Sequence, residues 1–367
     1  MTSSLPRFFS ALLALVALAL PAGRALAEDD GAETKKASAF VPAKPTEASQ
    51  TQKTVDERGG INPCMTEDPG NGVYEPWNRA PTVGQMLIPS RGGVTKDGKF
   101  DVIVHFHGHD PARKEFVRVM DGVVFVGITL GIGSGVYGET FAAPNAFKEL
   151  IASVEEEVAK KRGLKSAKAR KIGLSAWSAG YGAVEQILRQ DFGKERVDSV
   201  ILLDGLHAGY NGDGSLNDGQ LTPFVDFAKR AKAGKRFFFF SHSSIIPPGY
   251  ASTTETAGYI VHKLGAKYKT GKSRKDRWGL EQNHKFDSGN VHIRGYDGND
   301  KMDHCAHIGL LRDVLKVHIK PRWKSPKGFG PKKTEGGEKT ADKGDKAEKK
   351  KKKKKKKAAD RKTAKRE

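Results

Sequence analysis

Between Cys64 and Trp323 the chain alternates unbroken apolar runs of strand length with stretches whose apolar residues recur at helical spacing. That rhythm predicts an α/β domain with a mostly parallel central sheet flanked by helices on both faces. Two further observations agree. The runs are continuous rather than alternating, as strands covered on both faces require. The stretch also has the length of one globular domain, and no internal repeat divides it.

Asp101 to Phe106 and Val123 to Ile128 read as buried strands, and Ala143 to Lys161 carries apolar residues at helical spacing. Lys171-Ile172-Gly173-Leu174-Ser175 is the next strand, followed by a helical stretch from Gly180 to Gln190. Strand Val197 to Leu203, helix Phe224 to Ala233, strand Arg236 to Phe240, helix Thr254 to Leu264, strand Asn290 to Gly295 and helix Ala306 to Ile319 complete the series. In such sheets chemistry gathers at the carboxyl ends of the strands, so the residues just after each run matter most. Gly131-Ile132-Gly133-Ser134-Gly135 follows a strand, but no lysine and no helix is expected immediately behind it. It therefore reads as a flexible loop shaping a site, not a phosphate loop. Gly131 to Phe141 and Pro247 to Tyr250, aromatic and glycine-rich, read as pocket walls.

The most informative of these strand ends is Ala176-Trp177-Ser178-Ala179-Gly180. A serine hydroxyl is a poor nucleophile at neutral pH, so a catalytic serine must stand on a tight turn within reach of a base. Its neighbours two before and two after must be small. Ala176 and Gly180 meet that need, although the usual pattern has glycine in both places. The bland alternative for Ser178 is an ordinary helix N-cap.

This strand, turn and helix resemble the nucleophile elbow of the α/β-hydrolase superfamily of serine hydrolases. The resemblance implies an ester, thioester or amide substrate, an acyl-enzyme, and no cofactor. It also implies partners for Ser178 in a set chain order. The base belongs between the last strand and the final helix, where His304 is expected in the loop and His307, one turn on, is its competitor. The acid most often follows the strand Arg236 to Phe240, yet Ser241 to Pro248 contain no carboxylate, and the nearest is Glu255. Asp204, in Leu203-Asp204-Gly205 one strand earlier, is the better candidate; its alternative is a turn aspartate bonding its own backbone. The oxyanion donors implied are the backbone N–H groups of Ala179 and of His109, the latter in the His-Gly turn His107-Gly108-His109. Trp177, Tyr181 and His107 are expected to touch substrate.

A rival reading rests on His105-Phe106-His107-Gly108-His109-Asp110, because alternating histidines on a strand project to one face and hold zinc. The string is similar to the His-x-His-x-Asp-His signature of the metallo-β-lactamase fold, with the last two residues exchanged. A third class is an exported binding protein that keeps a hydrolase scaffold without activity.

The flanks differ in character. Residues 1–27 carry Arg7, the apolar run Phe8 to Leu20 and the small-residue site Ala25-Leu26-Ala27, the pattern of a cleaved secretory signal, too short for a spanning anchor. Residues 28–63 read as a flexible linker. A secreted or periplasmic location would suit Cys64 and Cys305, which either pair or lie as separate buried thiols. From Lys324 to Glu367 there are 20 Lys plus Arg against 7 Asp plus Glu, a net of +13 out of +21 for the whole chain. This tail includes the lysine run 349–357 and almost no apolar residue, so it is expected to be disordered. Its partner would be an anionic envelope polymer, lipid headgroups or nucleic acid, or it is a solvated tail without a specific partner. No aromatic residue interleaves the lysines, which leaves base stacking unsupported.

Overall fold

The unbroken apolar runs become the inner strands of one sheet. Residues 58–80 and 83–325 are described in the computed structural model; the signal segment, the linker up to residue 57 and the tail from residue 326 lie outside the described residues. The strands are β1 (Asn78–Arg79), β2 (Gln85–Leu87), β3 (Lys99–Phe106), β4 (Val124–Ile128), β5 (Lys168–Trp177), β6 (Val197–Leu203), β7 (Phe237–His242), β8 (Lys269–Lys275), β9 (Glu281–Ser288) and β10 (Val291–Asp297). They form a ten-stranded sheet in the order β1-β2-β4-β3-β5-β6-β7-β10-β9-β8. The consecutive strands β4, β3, β5, β6, β7 and β10 are parallel. Antiparallel pairs close both margins.

Those margins are the part of the sheet that the sequence pattern does not announce. β8 reads Lys-Thr-Gly-Lys-Ser-Arg-Lys and has no apolar run; it is a strand because its backbone pairs with β9. A ladder of main-chain hydrogen bonds needs no hydrophobic signature.

The helices are α1 (His109–Val117), α2 (Ser134–Phe141), α3 (Ala146–Arg162), α4 (Tyr181–Arg189), α5 (Asp191–Arg196), α6 (Asp218–Lys232), α7 (Thr253–Lys263) and α8 (Lys301–Val314). A π-helical turn, Leu315–Ile319, leads from α8 into α9 (Lys320–Trp323). Two of the starts that differ from expectation bear on the site. α2 opens directly behind Gly133, so the glycine-rich segment is a helix entry and not simply a flexible loop. α8 opens at Lys301, ahead of the expected Ala306, because Asp300 and Asp303 form a reciprocal capping box: each carboxylate accepts the other's backbone N–H. That box satisfies otherwise orphaned donors and extends the helix over the segment expected to be loop.

Strand residues alternate between two cores. Val102, Val104, Leu174, Val200, Phe238 and Phe240 face α2, α3, α4, α6 and α7 through residues such as Phe141, Phe147, Val184, Phe224 and Ile260. Ile103, Phe125, Ile201, Leu203, Phe237 and Phe239 face α1 and α8, with Phe116, Ile308 and Trp323 opposite. Each buried side chain of this size contributes roughly 1.5–3 kcal/mol, so both faces of the parallel region are needed to hold it flat against its helices.

The C-terminal end of the fold is pinned by Asp198 at the start of β6. Its carboxylate accepts from the Trp323 indole N–H (2.8 Å), Lys171 Nζ (2.8 Å), Arg322 Nε (3.1 Å) and the Ser199 hydroxyl (2.7 Å). Burial alone would push this carboxyl up, but the hydrogen bonds from Lys171, Arg322, Ser199 and Trp323 outweigh it and pull it down to about 2. A depressed carboxyl contributes stability that is fully present above its unfolded value of about 4 and is lost as pH falls through its folded value. Asp198→Asn is therefore expected to destabilise the domain by about 1–3 kcal/mol at neutral pH. In denaturation followed by tryptophan fluorescence, the gap between variant and wild type should shrink as pH falls from about 4 to about 2. A gap independent of pH would contradict the account.

Candidate active site

Three neighbouring parallel strands leave the sheet through left-handed residues. His107 follows β3 with φ 68°, Ser178 follows β5 with φ 49°, and Asp204 follows β6 with φ 45°. Among the described residues, Lys324 is the only other non-glycine in this region of backbone space. Each such residue costs on the order of 1–3 kcal/mol and persists only where surrounding packing fixes it. Clustering at adjacent strand ends marks this edge as the place where side chains are aimed.

The elbow has the close approaches expected of it. A Cβ on Gly180 would stand 2.2 Å from the Phe106 carbonyl oxygen, and one on Gly205 2.2 Å from the Ser178 carbonyl oxygen. Gly205 therefore lets the Asp204 turn sit directly against the Ser178 backbone. Ala176 is tolerated where glycine is usual because it is still in register within β5, opposite Phe106 and Leu202, with its methyl in the core.

Asp204 is almost fully buried, 2% exposed. One carboxylate oxygen accepts from the Ser243 backbone N–H (2.9 Å) and the Thr253 hydroxyl (2.7 Å); the other accepts from His304 Nδ1 (2.7 Å). Burial opposes its ionisation, but the imidazoles of His307 and His304 and the Thr253 hydroxyl more than offset this and hold it well below the usual carboxylate range. Because the carboxylate accepts at Nδ1, that nitrogen of His304 carries the proton, and Nε2 is left as the basic atom.

His304 does not sit in a loop. It lies in the first turn of α8, and the helix presents its ring to Asp204. The ring stacks on Trp177 with centroids 4.8 Å apart, and the Trp177 indole N–H donates to the His304 carbonyl oxygen (3.0 Å). Trp177 also stacks with His107, at 5.3 Å, whose Nδ1 meets the Tyr137 hydroxyl (2.9 Å). Trp177 thus packs on both His304 and His107, and neither Trp177 nor His107 lines the cavity beside Ser178.

His307, the competitor, is fully buried with Nδ1 on the Ser241 hydroxyl (2.9 Å). Burial lowers it to about 4, against the raising influence of Asp204. Glu255 belongs to another structure: it closes the capping box of α7 with Ser252 and accepts from the Tyr210 hydroxyl (2.8 Å). It does not meet His304.

Ser178 is joined to both partners through neighbouring residues. Trp177 beside it stacks on His304, and Gly205 beside Asp204 packs on its backbone. Asp204 and His304 are joined by a hydrogen bond, and none joins the Ser178 hydroxyl to His304. Ser178 and Ala179 open instead on a cavity of about 400 Å³, together with Gly133, Ser134, Tyr181, His207, Gln220 and Tyr250. A larger cleft of about 490 Å³ between β10 and α8, lined by Arg294, Tyr296 and Asp313, shares no residue with this one.

Of the two expected oxyanion donors, Ala179 lies on the cavity wall and His109 does not. The His109 backbone N–H is directed at the Thr129 hydroxyl (3.3 Å), which also meets the His109 ring (2.7 Å). The zinc arrangement fails for a related reason. His105 is buried with its nitrogens on Ser175 Oγ (2.9 Å) and the His107 carbonyl (2.8 Å), and the left-handed turn at His107 ends the strand alternation. Among the described residues no three His, Cys, Asp or Glu side chains converge as a metal site would need.

Three contributors escape sequence reading: Thr253 and Ser243, which hold Asp204, and His207, which lines the cavity. The Ser252-x-x-Glu255 capping pattern was the available signal for Thr253, since it places that residue at a helix start.

No protein-family model matches the chain, and no curated protein matches it in sequence. Solved structures similar to it include a poly(3-hydroxybutyrate) depolymerase from Bordetella parapertussis (12% identity, TM-score 0.38, covering 63% of this chain and 83% of that one). A siderophore hydrolase from Aspergillus nidulans aligns at 12% identity and TM-score 0.41, covering 72% of this chain and 98% of that one. An acylaminoacyl peptidase from Pyrococcus horikoshii aligns at 14% identity and TM-score 0.38 over 70% of this chain, which spans 42% of that longer one. The described domain has the α/β-hydrolase fold: a mostly parallel sheet between helices, with a small-residue elbow at the carboxyl end of an inner strand.

Cys64 and Cys305 are bonded to each other, with Cα atoms 5.0 Å apart, and so tie the N-terminal segment to the residue beside His304. Arg58 adds an ion pair to Asp303 in the same helical turn. Removing a cross-link over a long loop costs about 2–4 kcal/mol. Cys64→Ala/Cys305→Ala is expected to lower chemical stability by that amount, read as a shifted denaturation midpoint, and unreduced wild type should resist thiol alkylation after unfolding.

Proposed function

We propose that the protein is a serine hydrolase acting on a carboxylic ester, or a related thioester or amide, through an acyl-enzyme. The observation that carries this reading is the 2.7 Å bond between His304 Nδ1 and Asp204, made at the same end of the sheet as the left-handed Ser178. Ser178 attacks the substrate carbonyl while His304 Nε2 takes its proton; the tetrahedral oxyanion is received by the Ala179 N–H. His304 then returns the proton to the leaving alcohol as the acyl-enzyme forms. Water repeats the sequence, giving its proton to His304, and releases the acid with Ser178 restored. Asp204 keeps the tautomer that leaves Nε2 basic and stabilises the imidazolium. The contact between Ser178 and His304 closes when substrate is bound, as such contacts are often loose in free enzymes.

Export is part of the proposal and rests on the signal pattern of residues 1–27. The lysine-rich tail is proposed to hold the enzyme to an anionic envelope polymer by charge alone. No helix of the described residues is long and apolar enough to cross a membrane.

A fluorophosphonate probe should label Ser178, and Ser178→Ala should abolish both labelling and ester hydrolysis. Asp204→Asn should lower kcat by about 10⁴-fold through loss of the tautomer, with little change in KM. Function that survives Ser178→Ala would instead favour a binding protein on a hydrolase scaffold.

A further inference from the structure

The cavity beside Ser178 carries a matched donor and acceptor that the proposed chemistry does not use. His207 lies just beyond Asp204, its ring in edge contact with both Tyr181 (5.7 Å) and Tyr250 (5.0 Å). Its Nδ1 meets the Ala251 carbonyl oxygen at 2.8 Å. A carbonyl only accepts, so the proton is on Nδ1 and Nε2 presents a lone pair. Burial lowers the tendency of this ring to protonate, which keeps it an acceptor. Among the described residues Nε2 has no hydrogen-bond partner.

Gln220 is oriented by the same logic. Its side-chain oxygen accepts from the Gly209 backbone N–H (2.8 Å), which fixes the amide and leaves its NH2 group to donate. Both residues line the cavity that Ser178 and Ala179 enter. An acceptor and a donor in one small cavity complement a hydroxyl, which gives one hydrogen bond and takes another. An alkyl group in the same place leaves both unpaired, and polar groups unpaired on desolvation discriminate strongly against the wrong ligand.

We propose that His207 and Gln220 form a hydroxyl-recognition subsite, so that the preferred substrate is an ester bearing a hydroxyl on its acyl or its alcohol portion. The proposal rests on the serine hydrolase reading. Tyr181, Tyr250 and Ser134 add aromatic and hydroxyl groups to the lining, beside a single large aliphatic side chain, Ile132.

Two pairs of substrates test it on the full chain: methyl 3-hydroxybutyrate against methyl butyrate for an acyl hydroxyl, and glycerol monobutyrate against propyl butyrate for an alcohol hydroxyl. In wild type, the hydroxylated member of at least one pair should have the higher kcat/KM by about ten-fold or more; the cavity is open to water, which softens the discrimination of a closed site. His207→Phe keeps the ring packing and removes the acceptor, and should bring that ratio to within about two-fold. Should this variant fail to melt like wild type, Gln220→Leu, which is half-exposed, reads the same ratio. Equal rates within both pairs in wild type, or a preference that survives in a folded His207→Phe, overturns the subsite. Labelling of wild-type Ser178 by a fluorophosphonate separates the two ideas: labelled protein without the preference sinks the subsite alone, whereas absence of labelling removes the serine mechanism and the subsite with it.

Discussion

Three adjacent parallel strands that each end in a left-handed, non-glycine residue are the constraint on which the rest of this molecule depends. β3, β5 and β6 cannot continue past His107, Ser178 and Asp204, and each chain reversal throws its side chain or backbone toward the same edge. The conformations are unfavourable locally. They are held by the two cores, which bury the carboxyl halves of these strands, and by approaches so close that only Gly180 and Gly205 fit beneath them. The stable sheet thus supplies the free energy that keeps the strand ends strained and aimed.

Environment then assigns different work to chemically identical side chains. His105 and His242 are buried and driven down to about 3, and His307 to about 4, by desolvation. They serve as neutral hydrogen-bonding spacers on Ser175, Thr254 and Ser241. His304, three residues before His307, is half-buried and meets a buried carboxylate. One helical turn separates a packing histidine from the one that meets the Asp204 carboxylate.

The N-terminal segment belongs to the same assembly. Arg58 reaches Asp303, Cys64 is bonded to Cys305, and Asp68 pairs with Arg113 of α1. This strap crosses the two helices on one face of the sheet and fastens the first turn of α8, where His304 sits. Trp177 fastens the other side of that turn through its stack and its hydrogen bond to the His304 carbonyl. The position of the histidine is thereby set from three directions.

Local pattern alone determined the parallel strands and the elbow at Ser178, since apolar runs and small residues around a serine are written in consecutive residues; Asp204 and His304 became candidates only through the resemblance that the elbow carries. It left open whether Cys64 meets Cys305 and whether His304 or His307 is the exposed ring. It also placed His304 in a loop, because the Asp300 and Asp303 box that starts α8 early is a polar signal without apolar periodicity. The orientation of His109, the burial of Glu255 in a cap, the dispersal of the three-histidine string and the amide and imidazole of the cavity were decided only by tertiary structure. Hydrogen-bond partners that lie 11 to 100 residues apart, such as Gly209 with Gln220 or Asp204 with His304, depend on how strands and helices pack, and no stretch of sequence carries that distance.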